Sequence, residues 1–374
     1  MLVAVDARPL IEQKVGFGNF LFNTLSELLK IDTENDYILL SDREVFFPIE
    51  KYNNVSIKRY EDNIFCPKSF YYYLRLASFL KKNNIEPDVF WATEHLMPRG
   101  LPKRMNKILT VYDFTHIRFP ESTSKFNLLL SKLFFGPSLK NSDVIVCISE
   151  NTKKELSEFF PEEIRNKVIK TIYPGGVTER KKYISCENSI SEEVILLAQR
   201  PYILFVGTIE PRKDIGLLIK AAPMLKDKVH VVVCGKIGWE KESVIDCLKN
   251  TDNLTYLNYV PIEEKEYLLS HCFCQVQPSI YEGFGLPVVE SMQSGSITLV
   301  ADNSSLHEII EMEELRFKTG DVDEFCAKLC DLLSNYELYQ KAKTYCNGRG
   351  MQFSWSKTAN GYLKMFLQNN DEAE

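Results

Sequence analysis

The sequence predicts an α/β chain built from two doubly wound parallel-sheet domains. Three observations predict it. At 374 residues the chain is longer than one hydrophobic core usually supports. Short β-branched runs alternate with longer amphipathic segments, as they do where helices carry the chain between parallel strands. The alternation breaks after Val177 and then restarts.

Taken in order, the first half offers strands at Leu2–Val5, Tyr37–Leu40, Val55–Arg59, Asp88–Trp91, Lys107–Tyr112, Asp143–Ile148 and Val168–Ile172. Helical spacing marks Gly18–Lys30, Ser69–Lys82, Lys125–Phe135 and Asn151–Phe159. The stretch after Val177 is polar at first and sustains no pattern, so residues 181–200 read as a linker region. Beyond it Tyr202–Val206 reads as a strand and Asp214–Leu225 as a helix. Further strands follow at His230–Val233, Leu254–Tyr256, Cys274–Val276 and Ile297–Val300, and a last helical stretch at Ser354–Gln368. The expected division is residues 1–180, a linker at 181–200, residues 201–352, and a C-terminal helix in 353–374. Two doubly wound halves would set their strand carboxyl ends around a central cleft, the usual place for a ligand.

An apolar content of 45% and a charged content of 26% are ordinary for a soluble globular protein. The net charge of −6 argues against a general nucleic-acid binder. Ten cysteines are scattered without paired metal spacing. Cys272 and Cys274 fall two apart in an expected strand, and Cys326 and Cys330 share a helix face with no histidine nearby. Neither a zinc site nor a disulfide is expected. Met1-Leu-Val-Ala-Val-Asp6 is too short and too acidic for a secretory signal. No apolar run approaches the about 18 residues of a spanning helix. The expectation is a cytoplasmic protein with reduced thiols.

The densest chemistry lies in Pro278-Ser-Ile-Tyr-Glu-Gly-Phe-Gly-Leu-Pro-Val-Val-Glu-Ser-Met-Gln-Ser-Gly295. Gly283 and Gly285 permit positive φ and close approach of backbone to a ligand. Pro287 suits the first helical position, where its missing N–H costs nothing. The remaining early N–H groups point outward and make an anion site. Glu282 before the turn and Glu290 inside the helix bracket that site. Acids on both sides of a phosphate cradle suit a ligand with hydroxyls flanking a diphosphate, which describes a nucleotide sugar.

This segment resembles the E-x7-E signature of retaining glycosyltransferases with the GT-B fold, in particular glycosyltransferase family 4. Five further segments agree in order. Gly16-Phe-Gly18 resembles the family's N-terminal glycine loop. Thr110-Val-Tyr-Asp113 and Val146-Cys-Ile-Ser-Glu150 resemble strand ends of its first domain. Tyr173-Pro-Gly-Gly-Val177 resembles the segment closing that domain, and Phe205-Val-Gly-Thr-Ile-Glu-Pro-Arg-Lys-Asp214 its phosphate-binding segment. Within the family the likeness is to bacterial mannosyltransferases of surface-polysaccharide assembly. It implies two Rossmann-like domains, with the last helix crossing back to the first.

The resemblance also implies roles. Arg212 and Lys213 would neutralise charge on a departing nucleoside diphosphate, as a fork and a point charge respectively. Cations at a helix start oppose its dipole, so an anion would explain them. Glu290 would bind ribose hydroxyls and Glu282 hydroxyls of the donor sugar. N–H groups of Phe284, Gly285 and Leu286 would receive phosphate or sugar oxygens. Gly207 belongs to the phosphate segment. Gly235 and Lys236 open Gly235-Lys-Ile-Gly-Trp239, which with Tyr259-Val-Pro261 lines the base pocket in related enzymes, although Trp239 also reads as a packing residue. Gly16 and Gly18 would approach the donor's phosphates and the acceptor, and Asp113 would stand at the cleft edge. Where the family often has His before that Asp, this chain has Tyr112. His95 and His116 stand as candidates to touch substrate. No cofactor and no metal is implied, because no Asp-x-Asp motif appears and the protein's cations can do what Mg²⁺ does elsewhere.

The implied activity is transfer of a hexose, mannose from GDP-mannose first and a UDP-sugar second, to a saccharide or lipid-linked saccharide. A GT-B-fold epimerase or phosphorylase and a non-catalytic two-domain sugar binder are the alternatives. A dinucleotide-binding reading fails, since Leu21 stands where its third glycine belongs. Two stretches, residues 68–82 and 125–135, mix aromatic, apolar and basic residues. Each reads either as a helix packed on the sheet or as a peripheral contact at the cytoplasmic face of a membrane.

Overall fold

The computed structural model describes residues 1–11, 16–60, 68–177 and 190–368. The chain divides into two compact units, one of Met1–His116, Thr123–Pro174 and Trp355–Glu374, the other of Ile117–Ser122 and Gly175–Ser354.

Among the described residues the first unit is built on seven strands: β1 (Leu2–Asp6), β2 (Asp36–Ser41), β3 (Val55–Arg59), β4 (Val89–Ala92), β5 (Asn106–Val111), β6 (Val144–Cys147) and β7 (Val168–Thr171). They form one parallel sheet in the order β3-β2-β1-β4-β5-β6-β7. The second has six strands: β8 (Tyr202–Val206), β9 (His230–Cys234), β10 (Leu254–Tyr256), β11 (Cys274–Gln277), β12 (Ile297–Ala301) and β13 (Arg316–Phe317). These too are parallel, in the order β10-β9-β8-β11-β12-β13. Both units are thus Rossmann-like. The order reverses between β1 and β4 in the first sheet and between β8 and β11 in the second. Loops leave in opposite directions at such a point and open a crevice at the strand carboxyl ends.

Strands covered by helices on both faces need apolar side chains on both. Val144-Ile-Val-Cys147 and Tyr202-Ile-Leu-Phe205 meet that need and are buried throughout. Helices start where a short polar side chain caps them: Ser149 Oγ accepts from Thr152 N–H at 3.0 Å, and Asp321 Oδ1 from Glu324 N–H at 3.0 Å. The helix Lys125–Asn141, capped by Ser124, runs on through Gly136 and Pro137, past the end expected at Phe135.

The C-terminal helix Trp355–Leu367 belongs to the first unit. Tyr362 lays its ring 4.4 Å from that of Trp91. Its hydroxyl meets Thr110 Oγ1 at 2.8 Å, and the same Oγ1 accepts from Trp91 Nε1 at 2.9 Å. Asn106 Nδ2 donates to Met365 O at 3.0 Å. These buried bonds fix the helix in rotation as well as position.

The linker expectation needs correction. Residues 181–189 lie outside the described residues, but 190–200 contain the helix Glu192–Leu197. Val194 and Leu197 pack with Tyr202, Leu204 and Leu268 in the core of the second unit. The polar residues in front of this short helix masked its apolar face. No described helix is long and apolar enough to cross a membrane.

Candidate functional site

In the second unit the loops leaving β8 and β9 are zipped together. Gly207 N–H donates to Cys234 O at 3.0 Å, Ile209 N–H to Lys236 O at 2.9 Å and Gly238 N–H to Ile209 O at 3.0 Å. A Cβ on Gly235, whose φ is +152°, would stand 1.8 Å from Gly207 O. Only glycine fits there, and the contact between loops is sufficient reason for it.

The β8 loop ends in a tight turn, Pro211–Lys213, followed by Asp214 in the left-handed region at φ 48° and the helix Ile215–Met224. Arg212 and Lys213 therefore precede the helix rather than open it. Ile280 N–H donates to Arg212 O at 2.8 Å, which ties this turn to the loop after β11. Both lie at the switch point of the second sheet.

Lys213 Nζ lies 2.5 Å from Glu282 Oε1, and Arg212 Nη1 lies 3.2 Å from Glu282 Oε2. Arg212 Nε lies 3.0 Å from Glu210 Oε2. Gln277 Nε2 and Ser279 Oγ also donate to Glu282 Oε1, at 2.9 and 2.8 Å. Three donors occupy that oxygen, so the remaining acceptor capacity of Glu282 is on Oε2. Lys213 and Glu282 are 7% and 5% exposed. Burial pushes the Glu282 carboxyl up, but Lys213 and Arg212 outweigh it and hold the group down at about 2. Burial lowers Lys213 by more than Glu282 restores. The cations were expected to await an external anion. Instead Glu210 and Glu282 of the chain itself balance them.

Gly285, at φ +104°, is the left-handed residue before the helix Leu286–Gln293, and Pro287 occupies the second helical position rather than the first. Ser305 Oγ braces the turn by donating to Glu282 O at 2.9 Å and Phe284 O at 2.8 Å. Glu290 pairs with Lys265 Nζ at 2.9 Å. The two acids of the segment thus have separate cationic partners. Lys236 Nζ sits 4.7 Å from the Tyr259 ring centroid, and Trp239 and Tyr259 are 55% and 62% exposed. Trp239 is therefore not a core residue.

In the first unit Gly16, at φ 52°, precedes the helix Phe17–Ile31. A Cβ on Gly18 would stand 2.5 Å from Pro9 O, so glycine lets this helix close on the turn Arg8–Leu10. Phe17 lays its ring 4.3 Å from Tyr112 and 5.7 Å from His95. Tyr112 is buried and its hydroxyl has no hydrogen-bond partner among the described residues; the same is true of His95 Nδ1. Asp113 Oδ1 accepts from Thr115 N–H at 2.9 Å. Burial lowers His95 to about 4, with Asp113 opposing, and lowers His116 likewise.

A charge cluster at the switch point of the first sheet escaped the sequence reading. Arg8 binds Asp6 through Nε and Nη2 at 2.8 and 2.7 Å, reaches Glu94 at 3.4 Å and lies over the Tyr72 ring at 3.5 Å. Burial raises the Glu94 carboxyl to about 6 against the pull of Arg8. A cavity of ≈ 320 Å³ lined by Met1, Asp88 and Asn106 lies instead at the amino ends of the strands of this sheet.

Residues 188–348 match the family model described as Glycosyl transferases group 1. O-antigen chain mannosyltransferase B of Escherichia coli is 27% identical over 277 residues, covering 70% of this chain and 71% of that protein. O-antigen chain mannosyltransferase RfbU of Salmonella typhimurium is 24% identical over 300 residues, covering 76% and 77%. Sucrose-phosphate synthase from Thermosynechococcus elongatus shares the fold at a TM-score of 0.69 over 98% of both chains, with 15% identity. The chain thus carries a Glycosyl transferases group 1 domain, has the GT-B fold and resembles mannosyltransferases.

The matched segment contains Arg212, Lys213, Glu282 and Glu290, while Gly16, Gly18 and Asp113 lie outside it. The sequence reading missed Glu210, Gln277, Ser279, Lys265 and Ser305 around the same turn. One signal was available. Gln275 and Gln277 stand two apart in an otherwise apolar strand, hence on one face, and Gln275 Nε2 does donate to Gln277 Oε1 at 3.1 Å.

Proposed function

We propose that this glycosyltransferase is a retaining, metal-independent hexosyltransferase of the family 4 type. It takes mannose from GDP-mannose, with a UDP-sugar as the second choice, to a saccharide or lipid-linked saccharide at the cytoplasmic side of a membrane. The observation that carries the reading is the buried Arg212–Lys213–Glu282 arrangement at the switch point of the second sheet, beside the helix Leu286–Gln293. The choice of mannose follows the names of the two bacterial relatives.

In this reading the donor's diphosphate engages Arg212, Lys213 and the N–H groups of Phe284, Gly285 and Leu286. Its ribose hydroxyls bind Glu290, and the sugar meets Glu282 Oε2. Gly207 and Gly235 shape the loops, and Lys236 with Tyr259 borders the base. In the first unit Gly16, Gly18 and Asp113 contact substrate. The acceptor hydroxyl oxygen bonds to the sugar's anomeric carbon as the bond to the diphosphate oxygen breaks on the same face. The acceptor proton passes to the departing phosphate, and Arg212 and Lys213 balance the charge left there.

Incubation with GDP-mannose and a mannoside acceptor should give an α-linked product by NMR, in EDTA as well as in Mg²⁺. A β-linked product removes retention, and loss of transfer in EDTA that Mg²⁺ restores removes metal independence. Isomerised donor or phosphorolysis in place of transfer favours the epimerase or phosphorylase.

Glu290→Ala should weaken nucleotide-sugar binding by about 1–3 kcal/mol, the scale of hydrogen bonds to a charged group. The fold should survive, because the Lys265 side chain is 25% exposed and can turn to water. Calorimetry returning the wild-type affinity takes Glu290 out of the site.

A further inference from the structure

Apart from the short excursion Ile117–Ser122, the chain passes between the units twice, at Pro174–Gly175 and at Ser354–Trp355. Within the second unit both passes meet one side chain at the end of the helix Leu286–Gln293. Gln293 Oε1 accepts from Val177 N–H of the first pass at 2.6 Å. Gln293 Nε2 donates to Gly350 O and Phe353 O, at the approach to the second pass, at 2.9 and 2.7 Å. Two glycines leave room for these contacts. A Cβ on Gly176 would stand 2.8 Å from Val289 Cγ1, and one on Gly350 would stand 2.9 Å from Met292 Cβ.

The identity of the side chain matters. One pass offers an N–H and the other two carbonyl oxygens. A carboxamide accepts at its oxygen and donates twice from its nitrogen, which a carboxylate or a thioether cannot do. The second pass has a further tie to the same helix. The Phe353 ring lies 5.6 Å from that of Phe284, at 72°, in the turn that leads into Leu286. Within the first unit the two passes are bonded to each other, Thr358 Oγ1 donating to Tyr173 O at 2.7 Å.

We propose that Gln293 is a positioning residue, which roots both passes on the helix whose start carries the proposed diphosphate site. The proposed reaction uses groups of both units, so the segments joining them must leave the donor helix from a fixed place. Gln293 fixes that place through three backbone bonds and touches no substrate. Its effect on turnover rests on the function proposed above; the anchoring itself does not.

Hydrogen–deuterium exchange of the full chain, without substrate, tests the anchoring. Gln293→Met nearly keeps the volume and removes all three bonds. It should speed exchange at least about tenfold in residues 175–177 and in 351–354 together. Gln293→Glu keeps an acceptor for Val177 N–H and loses the donor, so it should loosen 351–354 and leave 175–177 near wild type. In steady-state transfer, Gln293→Met should lower kcat about tenfold or more while GDP affinity by calorimetry stays unchanged, since a small misplacement costs turnover rather than binding. Unchanged exchange in Gln293→Met, or loosening of one segment alone, overturns the anchoring. Faster exchange with wild-type kcat overturns the positioning role. If Gln293→Met unfolds by circular dichroism, Gln293→Glu decides, and an equal response of the two segments overturns the anchoring. A wild type that neither binds GDP nor transfers a hexose fails the proposed function instead, and the exchange result still decides the anchor.

Discussion

Glu282→Ala is expected to destabilise the protein by roughly 3–5 kcal/mol, the usual cost of removing one partner of a buried ion pair. Lys213 is 7% exposed, and its ammonium group sits 2.5 Å from the carboxylate that the substitution deletes. Arg212 loses a partner at 3.2 Å in the same step, and the donors of Gln277 and Ser279 lose their common acceptor. Glu282→Gln should cost less, since its carbonyl can still accept from Lys213, although its amide then faces Arg212. Replacing Glu282 and Lys213 together by Leu and Met should recover much of the loss, because neither charge is then stranded. Urea denaturation of the single and double variants decides this. A loss below about 1 kcal/mol for Glu282→Ala, within the range of an exposed pair, would mean that the cations relax to solvent without it.

The same carboxylate sets an acid limit. Glu282 is held near 2 in the folded protein against an ordinary 4.5. The unfolded chain therefore takes up the proton first as pH falls. The stabilisation from this group is complete above the ordinary carboxylate range and fades as pH drops from about 4.5 toward 2. Glu282→Gln should flatten the stability profile in that window.

Much of the fold was legible because a doubly wound sheet demands it of the sequence. Strands buried on both faces must be short apolar runs, and Tyr202–Val206 has the extent the sequence suggests. The two-residue β13 carries no pattern, and it pairs only with the end of β12. The helix Glu192–Leu197 hid behind polar residues, and Pro137 disguised the continuation of Lys125–Asn141. At the site, the glycines and spacing around Glu282 were readable, since they encode a local turn. Its partners were not, because Lys213 and Glu282 stand 69 positions apart and meet only through the parallel pairing of β8 with β11. Long-range ion pairs such as Lys265–Glu290 leave no spacing signal. The glutamines of β11 did leave one, since a buried polar side chain must find a partner.

Lys213→Ala and Arg212→Ala should each lower kcat by about a hundredfold or more while KM changes less. Charge on the leaving diphosphate grows toward the transition state, so a cation there matters more in the transition state than in the bound ground state. In the unliganded protein Glu210 and Glu282 neutralise both cations, so a bound diphosphate brings net negative charge to a balanced site. That favours donors able to shift between partners, and an ammonium group is better suited to it than a fork fixed by two carboxylates. Lys213→Ala should therefore be the more damaging to kcat. It also strands Glu282, so stability must be measured beside activity. Arg212→Lys keeps the charge and loses the fork. Its kcat should lie between those of wild type and Arg212→Ala, and a value equal to that of Arg212→Ala would assign the role to bidentate geometry rather than charge. Steady-state kinetics with saturating nucleotide sugar, on variants shown to be folded by circular dichroism, separates the outcomes. If Lys213→Ala and Arg212→Ala both turn over at near the wild-type rate while melting earlier, the pair is scaffolding for Glu282, and the leaving-group role is wrong.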